Sequence, residues 1–182
     1  MAQLGEPAVD VRIGGIFALQ RLGIDSPRDQ PTVVTVLSAY VRNHLPFADS
    51  ACLAIDAEAR RSGFPPLLPS DVATAIDVLA RRDRDDDGGA VANLAGVCLP
   101  GSIILRGRDL SRFDLGFANL DDATLDGTGF RGDSLVGAVL LRAELRGADF
   151  TTANVDRSYL SGARNVDLSG AVGTPSAPPG GS

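Results

Sequence analysis

The sequence predicts an α+β chain: a small helical domain followed by a short β-coil with four flat sides. Three observations carry this. Apolar residues recur at helical spacing through 9–83, a Leu or Phe recurs at every fifth position through 92–170, and a run of Arg, Asp and Gly at 84–91 separates the two. The first eight residues and the tail 171–182 belong to neither pattern and are expected to be flexible and disordered, the tail because it is rich in Pro, Gly and Ser.

In 9–22, Val9, Ile13, Ile16 and Phe17 follow helical spacing, and Leu19 and Leu22 widen the stripe. Gly14 and Gly15 each cost roughly 1 kcal/mol of helix propensity relative to Ala, so close approach of a neighbouring helix is expected there. Ser26 and Pro27 sit where an N-cap and a first-turn residue sit. A second helix follows with Pro31 in its first turn and Val33, Leu37, Tyr40 and Val41 on one face. A short helix is expected over 51–61. Ser70 then caps a further helix with Val72, Ile76 and Leu79 on one stripe, closed by Arg81 and Arg82, where positive charge is favourable. The three consecutive aspartates after it, Asp85 to Asp87, read as a solvated hinge rather than a metal site.

The five-residue pattern has its centres at Leu105, Leu110, Leu115, Leu120, Leu125, Phe130, Leu135, Leu140, Leu145, Phe150, Val155 and Leu160. Upstream, Leu94 and Leu99 continue it one residue out of phase, which places a single-residue insertion between Leu99 and Leu105. Two residues before most centres stands a small residue, such as Ala118, Ala123, Ala138 or Ser158. A period of five matches neither the helix at 3.6 nor the strand at 2.0. Each repeat is therefore a short extended piece plus a corner, and four of them close a square coil whose large and small residues both point inward. Stacked coils pair as a sheet with about 4.8 Å between them.

These residues resemble the pentapeptide-repeat family, whose motif runs small, Asp or Asn, Leu or Phe, polar, Gly; residues 118–122, 143–147 and 148–152 match it best. The resemblance covers the last half of the chain and implies a right-handed quadrilateral β-helix, here of about 3 to 3.5 coils, or roughly 15 Å of rod. Residues 10–22 also look like the inner helix of a HEAT or armadillo repeat, with Val11-Arg12, Gly15 and Ala18-Leu19 at the matching offsets. Helical segments of this type precede pentapeptide repeats in bacterial proteins, and the chain resembles a soluble member of that group.

Function is less legible than fold. The reading is a non-enzymatic scaffold or protein-interaction module, with a protein partner of unknown identity. The alternative implied by the resemblance is a DNA-mimic protein that binds gyrase or topoisomerase and protects it from antibiotics. Such mimics are long acidic rods, whereas this rod is short. Its repeat region holds ten acids against eight arginines. Residues twenty apart stack, so Arg106, Asp126 and Arg146 form a ladder of alternating sign, with Asp122 beside Arg142 and Glu144 beside Arg164. The surface is expected to neutralise itself.

With a net charge of −6 and no Lys among its 17 basic residues, the chain is not expected to bind nucleic acid or anionic membrane. Its lone histidine, His44, lies at a helix end, and no catalytic residue, cofactor or metal ligand is assigned. The two cysteines, Cys52 and Cys98, are expected to be free thiols in a cytoplasmic protein, since no export signal or membrane span is apparent.

Three groups of residues stand out as candidate surfaces or sites. Val136, Val139, Leu141 and Tyr159 are outward apolar residues where polar ones are usual, and form the candidate partner-binding patch. Leu160, Val166 and Leu168 lie where the register fails and are the candidate surface for an end-to-end homodimer through the C-terminal coil. Phe113 and Asp133 break the small-residue rule on one inward face with Arg108 one side away; local distortion turning these side chains to solvent is expected, the alternative being a buried polar pair or small site of Asp133 with Arg108.

Overall fold

The computed structural model describes residues 2–46, 57, 61, 68–101 and 105–177. Three α-helices are described in the first half: α1 (Val9–Asp25), α2 (Gln30–His44) and α3 (Ser70–Arg81). The helix expected over 51–61 lies almost wholly outside the described residues. α3 packs against both α1 and α2. Val33, Leu37, Tyr40 and Val41 of α2 and Val72, Ile76 and Leu79 of α3 are buried as their spacing predicts. α1 is less immersed: Ile16 is buried, but Val9, Phe17 and Leu22 are exposed, so its buried stripe is narrower than the sequence implies.

Local details differ from the sequence reading. A Cβ on Gly15 would stand 3.1 Å from Gln3, so what approaches closely is the N-terminal 3-10 turn Ala2–Gly5, and the first residues are folded back rather than flexible. Ser70 is the first helical residue, preceded by Pro69 at the cap position, and makes no capping bond. Pro27 does open a short 3-10 turn (Pro27–Asp29), without a side-chain cap from Ser26.

The second half is a stack of coils. Asp109, Asp114, Asn119 and Thr124 each form a parallel bridge to the residue twenty further on, and Gly129, Ser134, Val139 and Glu144 do the same. Four bridges per twenty-residue turn give four sides. The strands β1 (Ala92–Asn93) and β2 (Phe113–Asp114) pair twenty-one apart, as do Cys98 and Asn119, which confirms the one-residue insertion after Leu99. Every centre from Leu105 to Val155 is buried, and Phe130 and Phe150 stack inside with ring centroids 4.9 Å apart.

The ends of the stack are covered. Above the first coil, Arg42 of α2 donates to the Asn93 carbonyl at 2.6 Å, and the Cys98 N–H donates to the Leu45 carbonyl at 2.7 Å. The segment 84–91 is no solvated hinge: Asp87 is fully buried against Arg82, with Nε at 2.9 Å, and Arg84 donates to the Ser111 carbonyl at 2.9 Å. An uncompensated charge there would be costly, so the pair fixes how the chain enters the coil. At the other end, the tail is ordered through most of its length. Asn154 bridges Val172, an offset of eighteen, and Val155 and Arg157 donate to the carbonyls of Val172 and Thr174, both at 2.8 Å. A two-residue shortening near Asn165 thus brings the tail back into register, and its backbone pairs the edge that would otherwise be open.

Cys98 is disulfide-bonded, which corrects the free-thiol expectation at that position; Cys52 lies outside the described residues. No helix among the described residues is long and apolar enough to cross a membrane.

Candidate functional site

The outward face of the coil carries the candidate partner surface. The corner after each centre places its second residue at positive φ, with Gly at 107, 127, 132, 137, 147 and 162 and non-glycine residues at 112, 117, 122, 142, 152 and 157. A side chain in that conformation costs roughly 1–2 kcal/mol, which is why the motif favours Gly there. Phe117 holds it at φ 57° with 63% of its surface exposed. Its ring lies over Gly137 in the next coil, where a Cβ would stand 2.6 Å from the ring. Two residues after Gly137 comes Val139, which bridges Tyr159 in the coil beyond. Phe117, Val139 and Tyr159, itself 43% exposed, thus follow one corner across three successive coils.

Val136 and Leu141 flank this corner and are half-buried. The sequence reading found Val136, Val139, Leu141 and Tyr159 but missed Phe117. The available signal was an aromatic at a position where the motif writes Gly, twenty residues before a Gly. Of the residues proposed for end-to-end association, Leu160 and Leu168 pack against the core and only Val166 is exposed.

The inward exceptions form one device. In most repeats the small residue donates its N–H to the carbonyl three residues back, as Ala118 does to Leu115 at 3.0 Å. Phe113 is too large for that turn, and its N–H instead meets Oδ1 of Asp133 at 3.0 Å from the coil below. Both side chains are buried, Asp133 to 1%, so they are not turned to solvent as expected. Arg108 does not join them; it pairs with Asp77 of α3. The cation over the Phe113 ring is the buried Arg82, 4.9 Å from the centroid. Burial pushes the Asp133 carboxyl up to about 8, opposed by the Phe113 N–H; Asp109 adds to the rise, and Arg84 and Arg82 resist it. Oδ2 of Asp133 has no hydrogen-bond partner among the described residues.

A polar network unseen in the sequence ties the helices together. Arg12 of α1 donates to Asp71 Oδ2 of α3 at 2.6 Å and to the Tyr40 hydroxyl of α2 at 3.1 Å, and Tyr40 donates to the same carboxylate. Burial acts to raise Asp71, but the bonds from Tyr40, Arg12 and the Val72 N–H together hold it below the usual carboxylate range. Burial and then the bond to Asp71 push the Tyr40 phenol up to about 12. In this network one carboxylate joins side chains from all three helices. His44 is likewise engaged, Nδ1 donating to the Tyr40 carbonyl at 2.8 Å.

Most outward charges pair as the ladders predict, but Arg146 forms no ion pair among the described residues and meets Asp126 only through its backbone N–H, at 3.0 Å. Arg142 grips Asp122 at 2.8 Å and Asp121 at 2.7 Å, Arg164 meets Glu144 at 2.8 Å, and Arg106 approaches Asp126 at 3.7 Å.

The architecture is that of a four-sided solenoid with a helical cap. Residues 134–162 match the family model for pentapeptide repeats (eight copies), and this stretch of the chain is a run of such repeats. Among solved structures, the chain is similar to a pentapeptide repeat protein from the thylakoid lumen of Arabidopsis thaliana, at 33% identity over 43% of this chain and 56% of that one, with a TM-score of 0.31. It is similar to HetL, a pentapeptide repeat protein involved in heterocyst differentiation regulation in Nostoc sp. strain PCC 7120, at 30% identity over 41% of this chain and 40% of that one, TM-score 0.31. A third pentapeptide repeat protein, also from Nostoc PCC 7120, shares 33% identity over 47% of this chain and 81% of its own, TM-score 0.28. The matched part thus spans about half the length of the first two, 56% and 40%. A search of curated proteins finds no match.

Proposed function

We propose that the chain is a non-catalytic scaffold that binds a protein partner through the corner formed by Phe117, Val139 and Tyr159. Its repeat half is read as a right-handed rod of about three to three and a half coils. The observation that carries the proposal is Phe117 itself: an exposed aromatic in a costly backbone conformation where Gly would be cheaper. Apolar groups on such a corner gain most when a partner removes them from water, and aromatic residues are favoured in that role. A homodimer through the C-terminal coil is less well supported, because Leu160 and Leu168 already pack inward. The Cys98 disulfide further favours a setting where such bonds persist over the cytoplasm.

The test is affinity capture from a lysate of the source organism with the wild-type chain and with the pair Phe117→Gly and Tyr159→Ser. Phe117→Gly relieves backbone strain and neither substitution touches the core, so the melting temperature should hold or rise. A protein retained by the wild type and lost with the pair is the expected result; identical captures would refute the reading.

A further inference from the structure

Away from the repeat face, the helical domain contains a cavity of about 290 Å³ between the end of α1, the start of α2 and the end of α3. Its floor is apolar, built from the buried Val34, Leu37 and Leu79. One wall is the Gln30 side chain, only 7% exposed and without a hydrogen-bond partner among the described residues. That amide touches the water-accessible space of the cavity, where a ligand can take the place of water. Its position is built in: a Cβ on residue 23 would stand 2.0 Å from Gln30 Oε1, so only Gly23 leaves room for the amide.

The rim sets the charge. Arg81 and Arg82 also line the cavity, but each is held by its own carboxylate, Asp77 at 2.8 Å and Asp87 at 2.9 Å. Asp83 and Asp86 line it too and form no ion pair among the described residues. Two helices, α1 and α3, end beside the cavity, where the Leu79 and Ala80 carbonyls of α3 already accept from Arg82 and Arg84 and leave the two carboxylates as the acceptors on offer. α2 begins here, but its second residue is Pro31, which has no N–H to offer. Available acceptors therefore outweigh available donors.

We propose that this cavity binds a small organic cation, a compact amine with an apolar body. The ammonium group is received by the Gln30 carbonyl and the carboxylates of Asp83 and Asp86, and the apolar body lies on Val34, Leu37 and Leu79. The volume sits near the lower end of the range for small-molecule pockets, about 300–1,000 Å³, which restricts the ligand to a single ring or short chain.

The experiment titrates 2-phenylethylamine into the ¹⁵N-labelled full chain, with 2-phenylethanol and 3-phenylpropionate as neutral and anionic counterparts. The amine should give saturable amide shifts centred on Val34, Leu37 and Leu79. Affinity should fall at least tenfold for the alcohol, for the acid and for the double substitution Asp83→Asn/Asp86→Asn. Gly23→Ala, which drives the Gln30 amide into the cavity, should abolish the shifts; should it unfold the chain, the rim double substitution decides alone. No saturable shift, equal binding of amine and alcohol, tighter binding of the acid, or an unchanged affinity in the rim variant would each overturn the proposal. The variant Tyr159→Ser, on the repeat face, should bind the amine as the wild type does.

Discussion

Replacing Asp133 by Asn should flatten the dependence of stability on pH. The carboxyl is buried, its one bond runs from the Phe113 N–H at 3.0 Å, and it titrates near 8 in the folded chain. In the unfolded chain it ionises near the usual value of about 4. Its folded pKa is therefore raised, so the contribution to stability is fully present below about pH 4 and is lost as pH rises towards about 8. Between those limits the slope is roughly 1.4 kcal/mol per pH unit, so roughly 2–3 kcal/mol disappears between about pH 5 and 7. Asparagine keeps an acceptor for the Phe113 N–H and cannot ionise. Urea unfolding of both proteins across that range should show near-equal stability at the acid end and a more stable variant at the neutral end. Parallel profiles would refute the assignment. Asp133→Ala supplies the companion measurement: it leaves the Phe113 N–H unpaired and should cost roughly 1–3 kcal/mol on that account even at low pH.

Other outcomes follow from the packing. Phe130→Ala removes a fully buried ring stacked on Phe150 and should cost roughly 3–5 kcal/mol in chemical denaturation. Leu168→Asp should lower the melting temperature rather than dissociate an oligomer, because Leu168 packs against the core; light scattering separates the two effects. Purified protein at low micromolar concentration should neither inhibit gyrase supercoiling nor protect it from quinolones, because arginines such as Arg142 and Arg164 pair with carboxylates and interrupt any continuous negative face. In denaturant without reductant Cys98 should resist alkylation, and it should become reactive once reductant is added, as mass spectrometry of the tryptic peptides would show.

The sequence by itself determined the repeat architecture and its interior. A five-residue period with every Leu or Phe centre buried implies flat-sided coils, and a single out-of-phase step after Leu99 translates into the bridge offset of twenty-one in the first coil. The charge ladders were legible for the same reason, since a fixed repeat converts sequence distance into spatial adjacency. The helical faces of α2 and α3 were legible from local spacing alone.

Tertiary structure decided everything that depends on two distant segments meeting. Phe113 and Asp133 each look like a local defect until the coil stacks them, when one supplies the acceptor that the other's turn has lost. Arg82 and Asp87 read as a charged hinge because solvated and buried ion pairs have the same sequence. The tail 171–182 has the composition of a disordered segment, yet much of it is held because the last coil leaves backbone donors that only it can satisfy. The Arg12, Tyr40 and Asp71 network and the cavity around Gln30 depend on how α1, α2 and α3 converge, and no periodicity encodes that. Local pattern reports which face of an element seeks burial; what covers that face, and which polar groups meet there, is settled only when the elements pack.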